Sequence, residues 1–366
     1  SAEAGHAIAQ HNLAVAFAHG EGVAQDDEEA AKWIEKAALG GHVPSKFLFG
    51  NICELGRGVS KDVGKAGRFY LAAAEEGYAP AQHAVGQMYI SGQLKGDFFE
   101  LEHEARHESG EGKGDRAHDV YRITGKGLKE VDVEAVKWFR RAAEQDHSGA
   151  KALLGWMYAQ GRGVPQDDLE AVRWYRESSE QGDAGAQNSL GLAYERGQGV
   201  PQDDAEALRW YLLAAKQGDV DAQVNLGGIY TSGQGVPQDD TEALRWWRLA
   251  ADQGRAQAQY NLGVRYENGR GVPQDDAKAI RWYRLAADQG DAHAQFNLAN
   301  MYVKKGVWQD EPEALRLYRL AAEQGNAPAQ FSLGVMYKDG RGVPQDEAEA
   351  VRWYRLAADQ GHASAQ

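Results

Sequence analysis

The chain has 366 residues, 43% of them hydrophobic and 26% charged, with 44 glycines, 9 prolines and 10 tryptophans, a balance that excludes a disordered, collagen-like or coiled-coil polypeptide. Forty Lys and Arg against 54 Asp and Glu give a formal charge of −14, so phosphate backbones and anionic lipid would be repelled, and neither nucleic acid nor membrane insertion is expected. No apolar run approaches the roughly 18 residues needed to cross a bilayer. The chain opens on Ser1 with neither an initiator Met nor a basic-then-apolar leader, and Cys53 alone excludes an intrachain disulfide framework without choosing a compartment.

In chain order, a glycine-centred loop recurs from Gly20, Gly56, Gly125, Gly161, Gly197, Gly233, Gly269 and Gly340, and a shortened copy runs from Lys305 to Asp310. The full form, Gly161-Arg162-Gly163-Val164-Pro165-Gln166-Asp167-Asp168, repeats with a period of 36 residues. Between Gly56 and Gly125 only Ser91-Gly92-Gln93 can serve as the loop, which leaves one weak module. The count is ten modules in a single solenoid over residues 1–366, with 93–126 a degenerate or inserted segment.

Each module reads as two helices. In one copy Ala258, Leu262, Gly263 and Tyr266 fall at helical spacing and stop at Asn268-Gly269, where glycine can take the left-handed conformation that ends helix A. After Pro273, Asp275 or Asp276 can cap helix B, and Asp203 with Glu206 makes a capping-box pattern. Helix B carries Trp282 followed by Ala286 and Ala287. The same position holds Trp33, Trp138, Trp174, Trp210, Trp246 and Trp353, and an aromatic so regularly placed is expected in the core. The Arg281, Arg284 and Asp288 pattern reads as a solvated face with spacing for exposed ion pairs.

The pattern Ala-x-x-x-Leu-Gly-x-x-Tyr-x-x-Gly-x-Gly-Val-x-x-Asp, then Glu-Ala-x-x-Trp-Tyr-x-x-Ala-Ala-x-x-Gly, closely resembles the Sel-one-like repeats, relatives of the tetratricopeptide repeats. The resemblance covers almost the whole chain. It implies an all-α, right-handed superhelical solenoid of helix pairs with helix A on the concave face, and a scaffold or adaptor that binds a protein or peptide. Bacterial members are often exported, which favours the periplasm or secretion over the cytoplasm. One branch staples each hairpin with paired cysteines, and this chain, with Cys53 alone, departs from it.

Stacked modules build a long surface rather than one catalytic pocket, so no enzyme and no cofactor is expected. With Leu262 and Gly263 as framework, the variable positions of helix A carry specificity. The Tyr260 position holds His11, Phe47, His83, Phe296 and Phe331 among others, and the Val264 position holds Trp156, Leu192 and Val335. Phe47, His83, Trp156, Tyr260, Val264, Phe296 and Phe331 are therefore the candidate partner-binding residues. Tyr260, Phe296 and Phe331 form an aromatic row suited to an extended peptide or partner helix, against which stands packing between neighbouring A helices. His11 and His83 read as isolated, solvent-facing residues.

Two further readings compete. The weak module contains His103-Glu104-Ala105-Arg106-His107, a His-Glu-x-x-His pattern that on a helix offers two zinc ligands and a base, and so a metal site or a zinc-dependent hydrolase. The position of a third ligand after Gly110 is Lys113, the flanking Arg106 and Glu108 are charged, and decay of the module is the expected account. The second reading is a structural component acting through its ends: Gln366 falls early in an eleventh helix A, as expected for a fragment of a longer protein or for end-to-end self-association.

Overall fold

A computed structural model describes residues 6–93, 130–303 and 310–361, which form two compact units divided at Gln202 and Asp203. The described residues are helical throughout apart from turns and loops, with eighteen helices and no strand among them. Unit 1 contains α1 (Ala7–His19), α2 (Asp27–Leu39), α3 (Val43–Leu55), α4 (Val63–Glu75), α5 (Ala79–Ile90), α6 (Glu130–Glu144), α7 (Ser148–Gln160), α8 (Asp168–Glu180) and α9 (Ala184–Arg196). Unit 2 contains α10 (Asp204–Lys216), α11 (Val220–Ser232), α12 (Asp240–Asp252), α13 (Ala256–Asn268), α14 (Asp276–Asp288), α15 (Ala292–Val303), α16 (Glu311–Glu323), α17 (Ala327–Asp339) and α18 (Glu347–Asp359). Within each unit every helix packs on the one before and the one after it.

Local chemistry sets the helix ends. Gly269 closes α13 at φ +65°, and its N–H bonds the Arg265 carbonyl. Of the two capping candidates it is Asp275 that caps α14, accepting from the Lys278 N–H at 2.9 Å, and Asp203 accepts from the Ala205 and Glu206 N–H groups in the same way. From Gly58 onwards the second glycine of the Gly-x-Gly has another task. A Cβ on Gly163 would lie 2.2 Å from the Asp132 carbonyl oxygen, so this residue lets the loop press on the start of the preceding helix B.

The core repeats with the sequence. Trp138, Trp210, Trp246, Trp282 and Trp353 are buried, Trp33 and Trp174 half-buried, and Ala286 and Ala287, four and five positions after Trp282, are buried as well. The aromatic at the position after that of the Trp packs on a helix A glycine in most modules: a Cβ on Gly263 would come within 2.5 Å of the Tyr283 ring, and one on Gly50 within 2.5 Å of Tyr70. Gly86 of α5 stands in the same relation to Phe139 of α6. Helices α5 and α6 are thus an A and B pair, and residues 94–129 lie between its two members. The segment expected over 93–126 falls, apart from Gln93, outside the described residues, as do the His103, Glu104 and His107 motif and the loop over 304–309.

A buried glutamine ladder ties successive helices together. Gln259 of α13 donates to the Ala251 carbonyl of α12 at 3.2 Å and accepts from Gln289 beyond α14 at 2.7 Å. Gln223, Gln295 and Gln330 repeat the arrangement in unit 2, and Gln82 does so in unit 1. Each gives a second donor to a helix-end carbonyl that already accepts a backbone N–H from the turn after it.

Candidate functional site

The candidate residues project from helix A two positions before and one position after the buried Leu-Gly framework, of which Leu262 is 2% exposed. Tyr260, Phe296 and Phe331 are half-buried. Each ring sits on the aromatic of its own helix B, with centroids 5.9 Å apart for Tyr260 and Tyr283, 5.9 Å for Phe296 and Tyr318, and 5.6 Å for Phe331 and Tyr354. Phe47 repeats this in unit 1 on Tyr70 at 5.6 Å. The rings therefore pack within their helix pair and keep one side in solvent. Val264 lies beside Tyr260, half-buried against the same core.

Below this face, the Tyr283 hydroxyl donates to Glu267 at 2.6 Å and accepts from Asn297 at 3.2 Å. Burial pushes the phenol well above its usual range, and the Glu267 carboxylate adds to the effect. The phenols thus serve as neutral struts beneath the variable row.

The two histidines differ from the expectation of isolated, solvent-facing residues. His83 is half-buried on Phe139 and stacks on His147 at 4.7 Å, and burial together with His147 pulls its pKa down to about 4. His11 and His42 both contact the buried Ser45 hydroxyl, at 2.9 and 2.8 Å through their Nδ1 atoms, and burial then His42 lower the His11 pKa. Their position relative to the Leu-Gly framework of helix A placed both histidines on the open side. Their partners come from the N-terminus of the next A helix, a contact that no local pattern predicts.

Trp156, at the Val264 position of α7, is half-buried beneath the Arg162 guanidinium, 4.9 Å from its ring centroid. It forms one wall of a cavity of about 320 Å³ between α7, α8 and α9, whose other walls include Ala159, Asp168, Tyr175 and Ala193. A second cavity, of about 400 Å³, lies at the same register between α1, α2 and α3, against Ala18, Asp27, Ile34 and Ile52. Both open where Ala18 or Ala159 stands in place of the Glu267 type of side chain. Sequence reasoning missed both cavities, although those two alanines were the available signal.

Among the described residues no group of three or more His, Cys, Asp or Glu side chains is placed to hold a metal, and no helix is long and apolar enough to cross a membrane.

The Sel1 repeat model matches nine stretches of the chain: 7–42, 47–78, 121–147, 148–183, 184–219, 220–254, 256–291, 292–326 and 327–362. Among solved structures, c5321, described as a protective antigen of uropathogenic Escherichia coli strains displaying an SLR fold, is 33% identical with a TM-score of 0.54, over 100% of this chain and 79% of that one. A Sel1 repeat protein from Oxalobacter formigenes is 32% identical with a TM-score of 0.61, over 91% and 87% of the two chains. No curated protein matches significantly.

Proposed function

The chain belongs to the Sel1 repeat family, whose members are in general protein–protein interaction scaffolds, and we propose that it binds an extended peptide or partner helix along the helix A face as a non-enzymatic adaptor. The observation that supports this reading is the aromatic row of Tyr260, Phe296 and Phe331. Three consecutive A helices of unit 2 hold a ring against a helix B aromatic, so its rotamer is fixed before binding, while its outer side stays open. Rigid, half-exposed rings give contact area at little entropic cost, which is what binding anchors require. The concave placement of that face follows the family's architecture and forms part of the proposal.

Capture of a partner by the full chain, compared with Tyr260→Ala/Phe296→Ala, tests it. The double variant is expected to lose capture while its melting temperature changes little. A large fall in melting temperature would assign the rings to the core, and undiminished capture would move the binding face elsewhere.

A further inference from the structure

Arg265 is an exception in its own sequence register. Other A helices place a small or aliphatic residue there, such as Ala193, Ile229 or Met301, whereas Arg265 is 6% exposed. Its guanidinium donates to Asp240 at 2.9 Å and to the Thr231 hydroxyl at 2.8 Å, and lies 5.1 Å from the Trp247 ring centroid. Carboxylate, hydroxyl and aromatic face together satisfy a charge removed from water.

The residues of unit 1 that correspond to Thr231, Asp240, Trp247 and Arg265 are Ala159, Asp168, Tyr175 and Ala193, and all four line the cavity of about 320 Å³. The acid and the aromatic floor are kept there, while the arginine and its hydroxyl partner are both cut back to alanine. In other modules of this chain an arginine from the next Gly-x-Gly loop reaches the equivalent acid: Arg57 to Asp27 at 3.9 Å, Arg162 to Asp132 at 3.1 Å, and Arg341 to Glu311 at 2.9 Å. After α9 that loop position is Gln198, which carries no charge.

We propose that this cavity is a socket for an arginine side chain of the bound peptide, held as Arg265 is held, with its guanidinium on the Asp168 carboxylate and against the Tyr175 ring. The inference rests on the peptide-binding reading of the helix A face, to which Trp156 also belongs. The formal charge of −14 favours a basic partner. The exposed Arg196 at the rim opposes an incoming cation and weakens binding. The cavity of about 400 Å³ is not a second copy, because Ile34 and Ile52 replace the ring and the small wall, and Arg57 already reaches Asp27.

The test titrates Nα-acetyl-arginine methylamide into the full chain, followed by methyl NMR at Val172, Leu192 and Ala193, with Nα-acetyl-lysine methylamide and free L-arginine alongside. Saturable shifts are expected for the blocked arginine, at least tenfold weaker for the lysine compound, which lacks the planar fork. Asp168→Asn should weaken binding at least tenfold; Asp167 and not Asp168 caps α8, so the helix is retained. Ala159→Thr/Ala193→Arg reproduces the unit 2 arrangement, and is expected to abolish binding without lowering the melting temperature, whereas Arg196→Ala should tighten it. Absence of saturable shifts, equal affinity for lysine, or unchanged binding in both socket variants would overturn the proposal, and much tighter binding of free L-arginine would point to a metabolite site instead. Failure here leaves capture through Tyr260 and Phe296 untouched, so the two readings fail separately.

Discussion

Gln289, just past the end of α14, donates its amide to the Oε1 of Gln259 in α13 at 2.7 Å, while Gln259 donates in turn to the Ala251 carbonyl of α12. One side chain thus joins three consecutive helices. Its replacement removes two hydrogen bonds at once, so Gln259→Ala is expected to cost about 1–3 kcal/mol. Urea unfolding measures this, and a loss below about 0.5 kcal/mol would mean that water takes over the bonds.

The second glycine of the loop answers to different constraints in different modules. Gly163 combines φ +66° with a Cβ path blocked at 2.2 Å by the Asp132 carbonyl oxygen, whereas Gly22, at φ +75°, has open space around it. Gly163→Ala should therefore cost about 2–4 kcal/mol and Gly22→Ala only about 1 kcal/mol. Equal melting temperatures for the two variants would refute the close-approach account.

Trp282 is 7% exposed, beneath the Arg248 guanidinium at 5.0 Å. Trp282→Ala should cost roughly 3–5 kcal/mol, and because repeat modules contact mainly their neighbours the damage should be local. Amide exchange is expected to quicken in α13 to α16 and to stay unchanged in α1 to α4. A uniform rise along the chain would show global cooperativity instead.

The His83 imidazole titrates at about 4 in the fold, against about 6.5 when unfolded. Between those values the unfolded chain holds the extra proton, so stability is complete above pH 6.5 and falls as the pH drops towards 4, by about 2–3 kcal/mol from this residue. Phenylalanine occupies the same position as Phe47, Phe296 and Phe331. In denaturation at pH 7 and pH 4.5, His83→Phe is therefore expected to lose less stability than the parent, and an equal loss in both would place the pH sensitivity at other groups.

Repetition made most of this architecture legible in the sequence. A period of 36 residues, an aspartate at most helix B starts, a glycine at most helix A ends and a tryptophan at one position in most modules are local instructions, and each acts within a few residues of itself. Spacing of Leu262 and Gly263 likewise identified the framework, and so the variable positions on either side of it. What the sequence left open was how those variable residues meet across modules. His83 meets His147, 64 positions later and across an intervening segment; Gly163 meets the Asp132 carbonyl; and Arg265 finds Thr231 and Asp240 in the module before it. These contacts depend on distances set by helix packing, where one shortened side chain opens a cavity and one lengthened side chain fills it. The repeat pattern alone fixed the helices and their caps, while tertiary packing decided which acid is already held by an arginine and which, at Asp168, faces an open cavity, because that depends on which side chains of neighbouring modules are brought together.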